Sequence, residues 1–352
     1  DGGILIKDAR DLWGLDTEEF QNHFNKKYGQ LVIGPAGENM VLYACAISGE
    51  RAAGRCGIGA VMGSKNLKGL VAGGDMPIPI ADKSRWREYT ARWMKALKQH
   101  PGTGQDLPRL GTAGFVNKSN RSKVLPVHNF QAVNAEESYK ISGETLASDY
   151  LERNSGCLSC PIRCERRVKI DGKDVKGPEY ETICGFGGNL LIDDLEAIAY
   201  MNELCNRLGL DTISTSGALA FATEAMERGL VSAADADGVA LRWGEPGPAI
   251  EMIGMIARRE GLGDLLAEGT RAAAAALGPE AEPLAVHVKG LELPYHDPRA
   301  FVDMGLNYAT AVRGACHLES LTYWTGYGSI WPGWYEGPRD RFYGGQVAAE
   351  LV

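Results

Sequence analysis

Between Asp193 and Leu208 the apolar side chains Leu195, Ile198, Met201, Leu204 and Leu208 recur at steps of three and four, which keeps them on one face of a helix. Gly209 supplies the stop. Ser214 is placed to cap the next helix, which runs to Gly229, and the periodicity predicts two more over Pro248–Arg259 and Gly263–Leu277. Near the start, Asp16 with Glu19 three residues on forms a capping box opening a helix to about Tyr28. Gln30–Gly34 and Met40–Ser48 carry β-branched and aromatic runs of strand length. A glycine-rich stretch from Gly54 to Lys65 and an apolar, strand-like exit to Gly74 follow. Met76–Pro79 reads as a linker, Asp82–Gln99 as a basic amphipathic surface helix, and 101–140 as ordered loop with weak strand at Val124–Phe130. From about Ile141 the pattern is helical, with alanine-rich segments separated by glycines. The pattern predicts an α+β chain: a small α/β part over 1–140, then a larger, mainly α-helical part over 141–352.

Composition narrows this picture. A chain of 352 residues exceeds the size at which one core stops growing, about 250–300 residues, so two or three domains are expected. With 37 basic and 45 acidic side chains the net charge is −8, which disfavours a phosphate-backbone partner, and no nucleic acid is expected. No window approaches the ~20 apolar residues of a membrane span. The chain opens on Asp1 without a signal-peptide pattern, and Gln346–Val352 reads as the beginning of a helix. A longer chain extending past both ends is therefore expected.

Three of the eight cysteines, Cys157, Cys160 and Cys164, form a C-x2-C-x3-C cluster with Pro161 after the second. Thiols this close in a large chain point to metal binding in a reducing compartment. Soft thiolates select zinc or an iron–sulfur cluster, and a lone triplet with a distant fourth ligand is more typical of [4Fe–4S]. The glycine stretch, Gly57-x-Gly59-x-x-x-Gly63 with Arg55 and Lys65, fits a tight turn as well as an anion cradle. Glu179 and Glu181, if extended, would point the same way about 7 Å apart, as a carboxylate pair or as a solvated face. His317, in Arg313-Gly314-Ala315-Cys316-His317, sits among small residues where a ligand could reach it, or is a core histidine. The aromatic run at 321–343 suits a pocket wall, a subunit contact or packing.

Taken in order, these segments resemble the aldehyde:ferredoxin oxidoreductase family of tungsten–pterin enzymes. The resemblance rests on Ala53–Lys68, the cysteine triplet, Gly177–Thr182, Leu208–Ser214, and Tyr308-Ala309-Thr310 leading into Arg313–His317. It implies a tungsten (or molybdenum) ion held by two pterins beside a [4Fe–4S] cluster, oxidation of a small aldehyde to a carboxylic acid, and electron delivery to ferredoxin or another electron-transfer subunit. It further implies a cytoplasmic homodimer or larger oligomer. By position, Cys157, Cys160 and Cys164 would ligate the cluster. Glu181 would accept the proton, and His317 would hydrogen-bond the substrate carbonyl. Arg55, Gly57, Asn206, Gly209, Leu210 and Asp211 would contact pterin, with Asp211 bonding its amino groups. Two departures stand out: Asn206 replaces an aspartate frequent in the family, and Cys56 lies where many relatives carry glycine. The resemblance also implies that an N-terminal sheet segment, a second pterin motif and the fourth cluster cysteine lie outside these residues. The competing readings are an iron–sulfur electron-transfer or structural module lacking pterin, a zinc-stapled scaffold, and a related class II benzoyl-CoA reductase-like enzyme.

Overall fold

The computed structural model describes residues 3–320; the aromatic run at 321–343 lies outside them. The capping box forms. Asp16 accepts from the Glu18 and Glu19 N–H groups at 2.9 Å each, and Glu19 reaches back to Asp16 N. The helix it opens, α1 (Thr17–Asn22), stops short of Tyr28 because residues 25–28 turn on Asn25 instead. Arg207 pairs with Asp16, fastening α1 to the end of a later helix. Asp16→Ala removes both, so we expect a loss of about 1–2 kcal/mol in denaturant unfolding. An unchanged midpoint would show that the cap contributes nothing.

Strands β1 (Gly29–Ile33), β2 (Ala46–Ser48), β3 (Arg51–Ala53) and β4 (Gly69–Ala72) form an antiparallel sheet in the order β3-β2-β1-β4. Val32 faces Ile47 and Leu31 faces Leu70 across β1. Only the last three residues of the expected strand Met40–Ser48 join this sheet. Residues 40–45 instead spend their backbone groups on the helical part: Leu42 N donates to Ala267 O, Cys45 N to Gly209 O, and Tyr43 O accepts from Asp211 N. That detour seats the sheet against residues 209–211. Helices α2 (Pro35–Glu38) and α3 (Ile58–Gly63) cross beside it. Next, α4 (Lys83–Gln99), capped by Asp82, is the surface helix its pattern predicts and buries no residue.

The segment 101–140 places the strand β5 (Pro126–Val127), paired with β6 (Ala132–Val133), within the expected weak strand, and adds the helices α5 (Leu107–Leu110) and α6 (Phe115–Arg121) where loop was expected. After α7 (Gly143–Thr145) comes a feature the helical reading missed. β7 (Leu151–Ser155), β8 (Glu165–Ile170) and β9 (Lys173–Lys176) form a three-stranded antiparallel sheet. Its signal was present: Asp171-Gly172, at φ 48° and 76°, is the two-residue turn that joins β8 to β9.

The helical part then follows as α8 (Tyr180–Ile183), α9 (Leu195–Leu208), α10 (Thr212–Glu227), α11 (Pro246–Arg258), α12 (Leu262–Leu266) and α13 (Thr270–Leu277). Asp211, rather than Ser214, caps α10 and accepts from Ser214 N at 2.8 Å. The predicted helix 263–277 is two helices, because Gly269 at φ 82° turns the chain and Thr270 N bonds to the Glu292 carboxylate. A hairpin, β10 (His287–Val288) and β11 (Leu291–Glu292), and α14 (Val302–Thr310) complete the described chain. One apolar cluster runs from Ala36 through Phe186 and Phe221 to Tyr295. α10 lies at its centre, almost wholly buried, with Ser214, Thr215, Ser216, Thr223 and Glu224 enclosed alongside its apolar residues.

Candidate functional site

Two structural units meet around Tyr295. The first is built on α8. Glu179 stays extended as the residue before the helix and accepts from Thr112 Oγ1 at 2.5 Å, whereas Glu181 lies inside the helix. The helix start falls between them, so the two carboxylates do not form the parallel pair an extended segment would give. Glu181 Oε2 accepts from Tyr295 N at 2.8 Å. Its Oε1 lies 3.2 Å from His296 Nε2 and 3.6 Å from His317 Nε2. The Glu181 and His317 side chains retain 14% and 15% exposure, against 6% for His296.

The electrostatics follow from this enclosure. Burial raises the Glu181 carboxyl, but the His317 and His296 imidazoles and the Tyr295 N–H outweigh it and hold its pKa to about 2. Burial pushes His317 down to about 4 against the pull of Glu181, with His296, Arg55 and Arg313 adding to the depression. At neutral pH the cluster is thus an ionised carboxylate beside an uncharged His317. Such a pair can take a proton at one oxygen and offer a neutral N–H donor. Sequence reasoning missed His296. Its setting, Pro294-Tyr295-His296-Asp297-Pro298, marks a turn but carries no sign of proximity to residue 181.

The second unit joins the glycine loop to the start of α10. Arg55, Cys56 and Gly57 have φ of 61°, 60° and 69°, three successive left-handed residues. For the two non-glycines this costs about 1–3 kcal/mol each, which the surrounding structure must sustain. At Gly57 a side chain would also strike the Leu42 carbonyl. The turn drives Arg55 inward to 6% exposure, where its Nη2 donates to Glu292 O. Its Nε and Nη1 have no hydrogen-bond partner among the described residues, and neither does the buried Ser214 hydroxyl. Asp211 is buried nearby: a Cβ at Gly54 would sit 3.1 Å from its Oδ1. Burial raises the Asp211 carboxyl while the Arg55 charge lowers it. Gly209, at φ 76°, ends α9, and Leu210 bridges to Ala44. Lys65 lies exposed beyond α3. Asn206 instead lines a groove with Thr17, Ser48, Gly49 and Arg207, a groove that no other predicted site residue lines.

Tyr295 ties the units together. Its N–H holds Glu181, its hydroxyl lies 2.6 Å from Ser216 Oγ on α10, and the charges of Glu181, Arg55 and Asp211 all act on it. The cysteine triplet occupies the loop between β7 and β8, where Cys160 N donates to Cys157 O at 3.0 Å. Cys157 is exposed and Cys160 and Cys164 are half-buried. Burial raises the Cys164 thiol, and the charges of Glu179, Cys160 and Cys157 add to it, so this loop adjoins α8. Among the described residues no three His, Cys, Asp or Glu side chains converge as a ready metal-ligand set. The donor chemistry of the loop, three soft thiols within eight residues, suits a thiolate-ligated metal or cluster that draws a further ligand from elsewhere. The Arg55, Ser214 and Asp211 atoms supply unsatisfied buried donors and an acceptor, the complement a pterin requires.

The α+β architecture is shared with a redox enzyme, the active site complex BamBC of benzoyl coenzyme A reductase solved with 1,5-dienoyl-CoA. The TM-score is 0.74 at 22% identity, covering 98% of this chain and 56% of that one. At the level of family the sequence decides: the chain belongs to the aldehyde ferredoxin oxidoreductases, matching their N-terminal domain over residues 1–74 and their domains 2 and 3 over 88–350. It is 43% identical to the tungsten-containing aldehyde ferredoxin oxidoreductase of Pyrococcus furiosus and 42% identical to that of Thermococcus kodakarensis. Each alignment covers 91% of this chain and 54% of the relative. An aliphatic sulfonate oxidoreductase, WOR-like subunit, of P. furiosus is 31% identical over 90% of the chain and 55% of its own length. The chain therefore spans about half the length of these relatives. Among the described residues no helix is long and apolar enough to cross a membrane.

Proposed function

We propose that these residues are the central part of a tungsten- or molybdenum-dependent aldehyde oxidoreductase that passes electrons to ferredoxin. The observation that carries this reading is the ionised Glu181 carboxylate set between His296 and His317 and joined through Tyr295 to the Arg55–Asp211 unit. The net reaction is an aldehyde plus water giving a carboxylic acid, two electrons and two protons. A tungsten or molybdenum bis-pterin would supply the two-electron chemistry, with a [4Fe–4S] cluster draining the electrons singly.

The chain's own residues bind, orient and move protons. Arg55 would offer Nε and Nη1 to the pterin, and Asp211 Oδ1 would accept from its amino groups. The loop residue Gly57 and the α9–α10 turn at Gly209 and Leu210 would shape the backbone there. Asn206, facing its separate groove, would contribute through position alone. His317, uncharged at neutral pH, would donate Nε2–H to the substrate carbonyl and so orient it. Glu181 would take the proton lost as water adds, at an oxygen placed by hydrogen bonds before the substrate arrives. Cys157, Cys160 and Cys164 would hold three irons of the cluster, with the fourth ligand from another part of the chain. Ferredoxin or a dedicated electron-transfer subunit would receive the electrons, and the setting would be a cytoplasmic homodimer or larger oligomer.

Metal analysis and electron paramagnetic resonance on the anaerobically prepared full-length protein test this. We expect about one tungsten or molybdenum and about four irons per chain, with a reduced-cluster signal that Cys160→Ser abolishes. Iron without either heavier metal would overturn the assignment. Acid treatment should also release a fluorescent pterin oxidation product.

A further inference from the structure

Glu181 is flanked by two imidazoles, and their geometries differ. His296 Nε2 approaches Oε1 to 3.2 Å, the shorter of two ion-pair distances, while His317 Nε2 stands off at 3.6 Å. The His296 ring is also the better fixed. It stacks on Tyr180 at 4.9 Å and 20°, with Phe301 at 6.3 Å and 24° beyond. The backbone of 295–297 is held at one point in each residue: Tyr180 Oη donates to Tyr295 O at 2.8 Å, Tyr308 Oη to His296 O at 3.2 Å, and Asp297 N to Val124 O at 2.9 Å. Among the described residues nothing comparable stacks on His317, whose ring lies tilted 40° to His296 at 5.8 Å.

We propose that His296 is the positioning residue for Glu181: it fixes the rotation of the carboxylate and keeps it ionised, leaving His317 free for the substrate. The proposal rests on the reading of Glu181 as proton acceptor. With Oε2 tied to the Tyr295 N–H, one rotation of the carboxylate remains, and the His296 Nε2 contact removes it. A base held in this way needs no reorganisation when the proton arrives. Burial favours the neutral acid, so the ionised state depends on donors that face the group. From α8 itself Cys184 faces it; from the 293–297 segment, Tyr295 and His296; from 313–317, His317; and from α14, Tyr308. The cysteine and the tyrosine hydroxyls are pushed up by burial and stay neutral, so the histidines and the Tyr295 N–H do the stabilising. Asp303, on α14, is the further carboxyl within electrostatic reach of His296.

The test uses the full-length, metal-loaded enzyme, with rates expressed per bound tungsten or molybdenum. His296→Phe keeps the ring stacked on Tyr180 and removes the donor. His296→Gln returns a donor near the position of Nε2. For wild type we expect kcat to stay flat from about pH 8 to about pH 5, and for His296→Phe to fall about 10–100-fold with its acid limb moved into about pH 5–7, KM changing less than about twofold. His296→Gln should recover most of the loss and return the limb below about pH 5. Infrared difference spectra taken against Glu181→Gln give a readout independent of turnover. The carboxylate band should persist at about pH 5.5 in wild type and His296→Gln and be replaced by a protonated-acid band in His296→Phe. A His296→Phe enzyme with the wild-type pH profile, or a His296→Gln enzyme as impaired as His296→Phe, overturns the proposal. If Glu181→Gln is inactive while His296→Phe is normal, this proposal alone fails. If Glu181→Gln is as active as wild type, the base assignment fails with it.

Discussion

On the proposed function, Glu181→Gln is expected to lower the turnover of aldehyde oxidation by about 10²–10⁴-fold, the range that a positioned proton acceptor contributes, while KM stays close to wild type. The substitution keeps the volume and one hydrogen-bond acceptor, so the Tyr295 N–H and the α8 backbone have no reason to move. What disappears is the capacity to accept a proton. With the amide oxygen kept on the Tyr295 N–H, the NH2 faces His296 Nε2, where a neutral imidazole can present its unprotonated nitrogen, so the packing of the cluster is kept. The pH dependence carries a matching sign. Glu181 is depressed to about 2 and His317 to about 4 in the folded protein. The base form is therefore complete at neutral pH and is lost only as pH falls through these values, so wild-type kcat/KM should show no acid limb above about pH 5. Anaerobic steady-state assays with ferredoxin or a one-electron dye, on protein of verified metal content, give the numbers. Wild-type turnover by the variant would assign the proton to another group.

Gly63→Ala is expected to destabilise the protein by about 3 kcal/mol or more and, on the proposed function, to lower its pterin-bound metal content. At this buried position on α3 an added Cβ would overlap the Gly37 carbonyl oxygen and approach its carbon at 2.8 Å. The obstacle is backbone of α2, which cannot rotate aside as a side chain can. Gly59, on the same helix, is closed in by the Cys45 and Ala44 carbonyl groups, so α3 cannot shift that way either. Relief has to come from separating α2 and α3, and the left-handed turn Arg55–Gly57 leads directly into α3. The aim of the Arg55 guanidinium is thus tied to the same contact. Gly74→Ala is the matched control: nothing lies within 4 Å of its Cβ and its φ is not positive, so the change should stay within about 0.5 kcal/mol. Chemical denaturation with metal analysis on the same samples separates the two variants. Equal stabilities would show that α2 and α3 tolerate a wider spacing.

The amino-acid order by itself determined what local physics controls. The Asp16–Glu19 box, the Asp82 cap and the single apolar face of Leu195–Leu208 each depend on residues three or four positions apart, and all formed. The spacing of Cys157, Cys160 and Cys164 likewise confines three thiols to the single loop between β7 and β8. Tertiary structure decided the rest, for reasons that lie far apart in the chain. Residues 40–45 have strand composition yet leave the sheet, because Ala267, Gly209 and Asp211 satisfy their backbone groups. Asp211 takes the cap that Ser214 could have made, because the helix begins at Thr212 and so encloses Ser214, whose N–H the Asp211 carboxylate accepts while the Arg55 charge offsets the cost of burying it. Glu179 and Glu181 are neighbours in sequence but part company where α8 begins, one going to Thr112 and the other to Tyr295, His296 and His317. His296 and Glu181 are more than a hundred residues apart, and neither is distinctive alone. Only the packing of Tyr180, Tyr295 and Phe301 brings an imidazole to that carboxylate, because an enclosed charge is stable only where its partners have already been positioned by the fold.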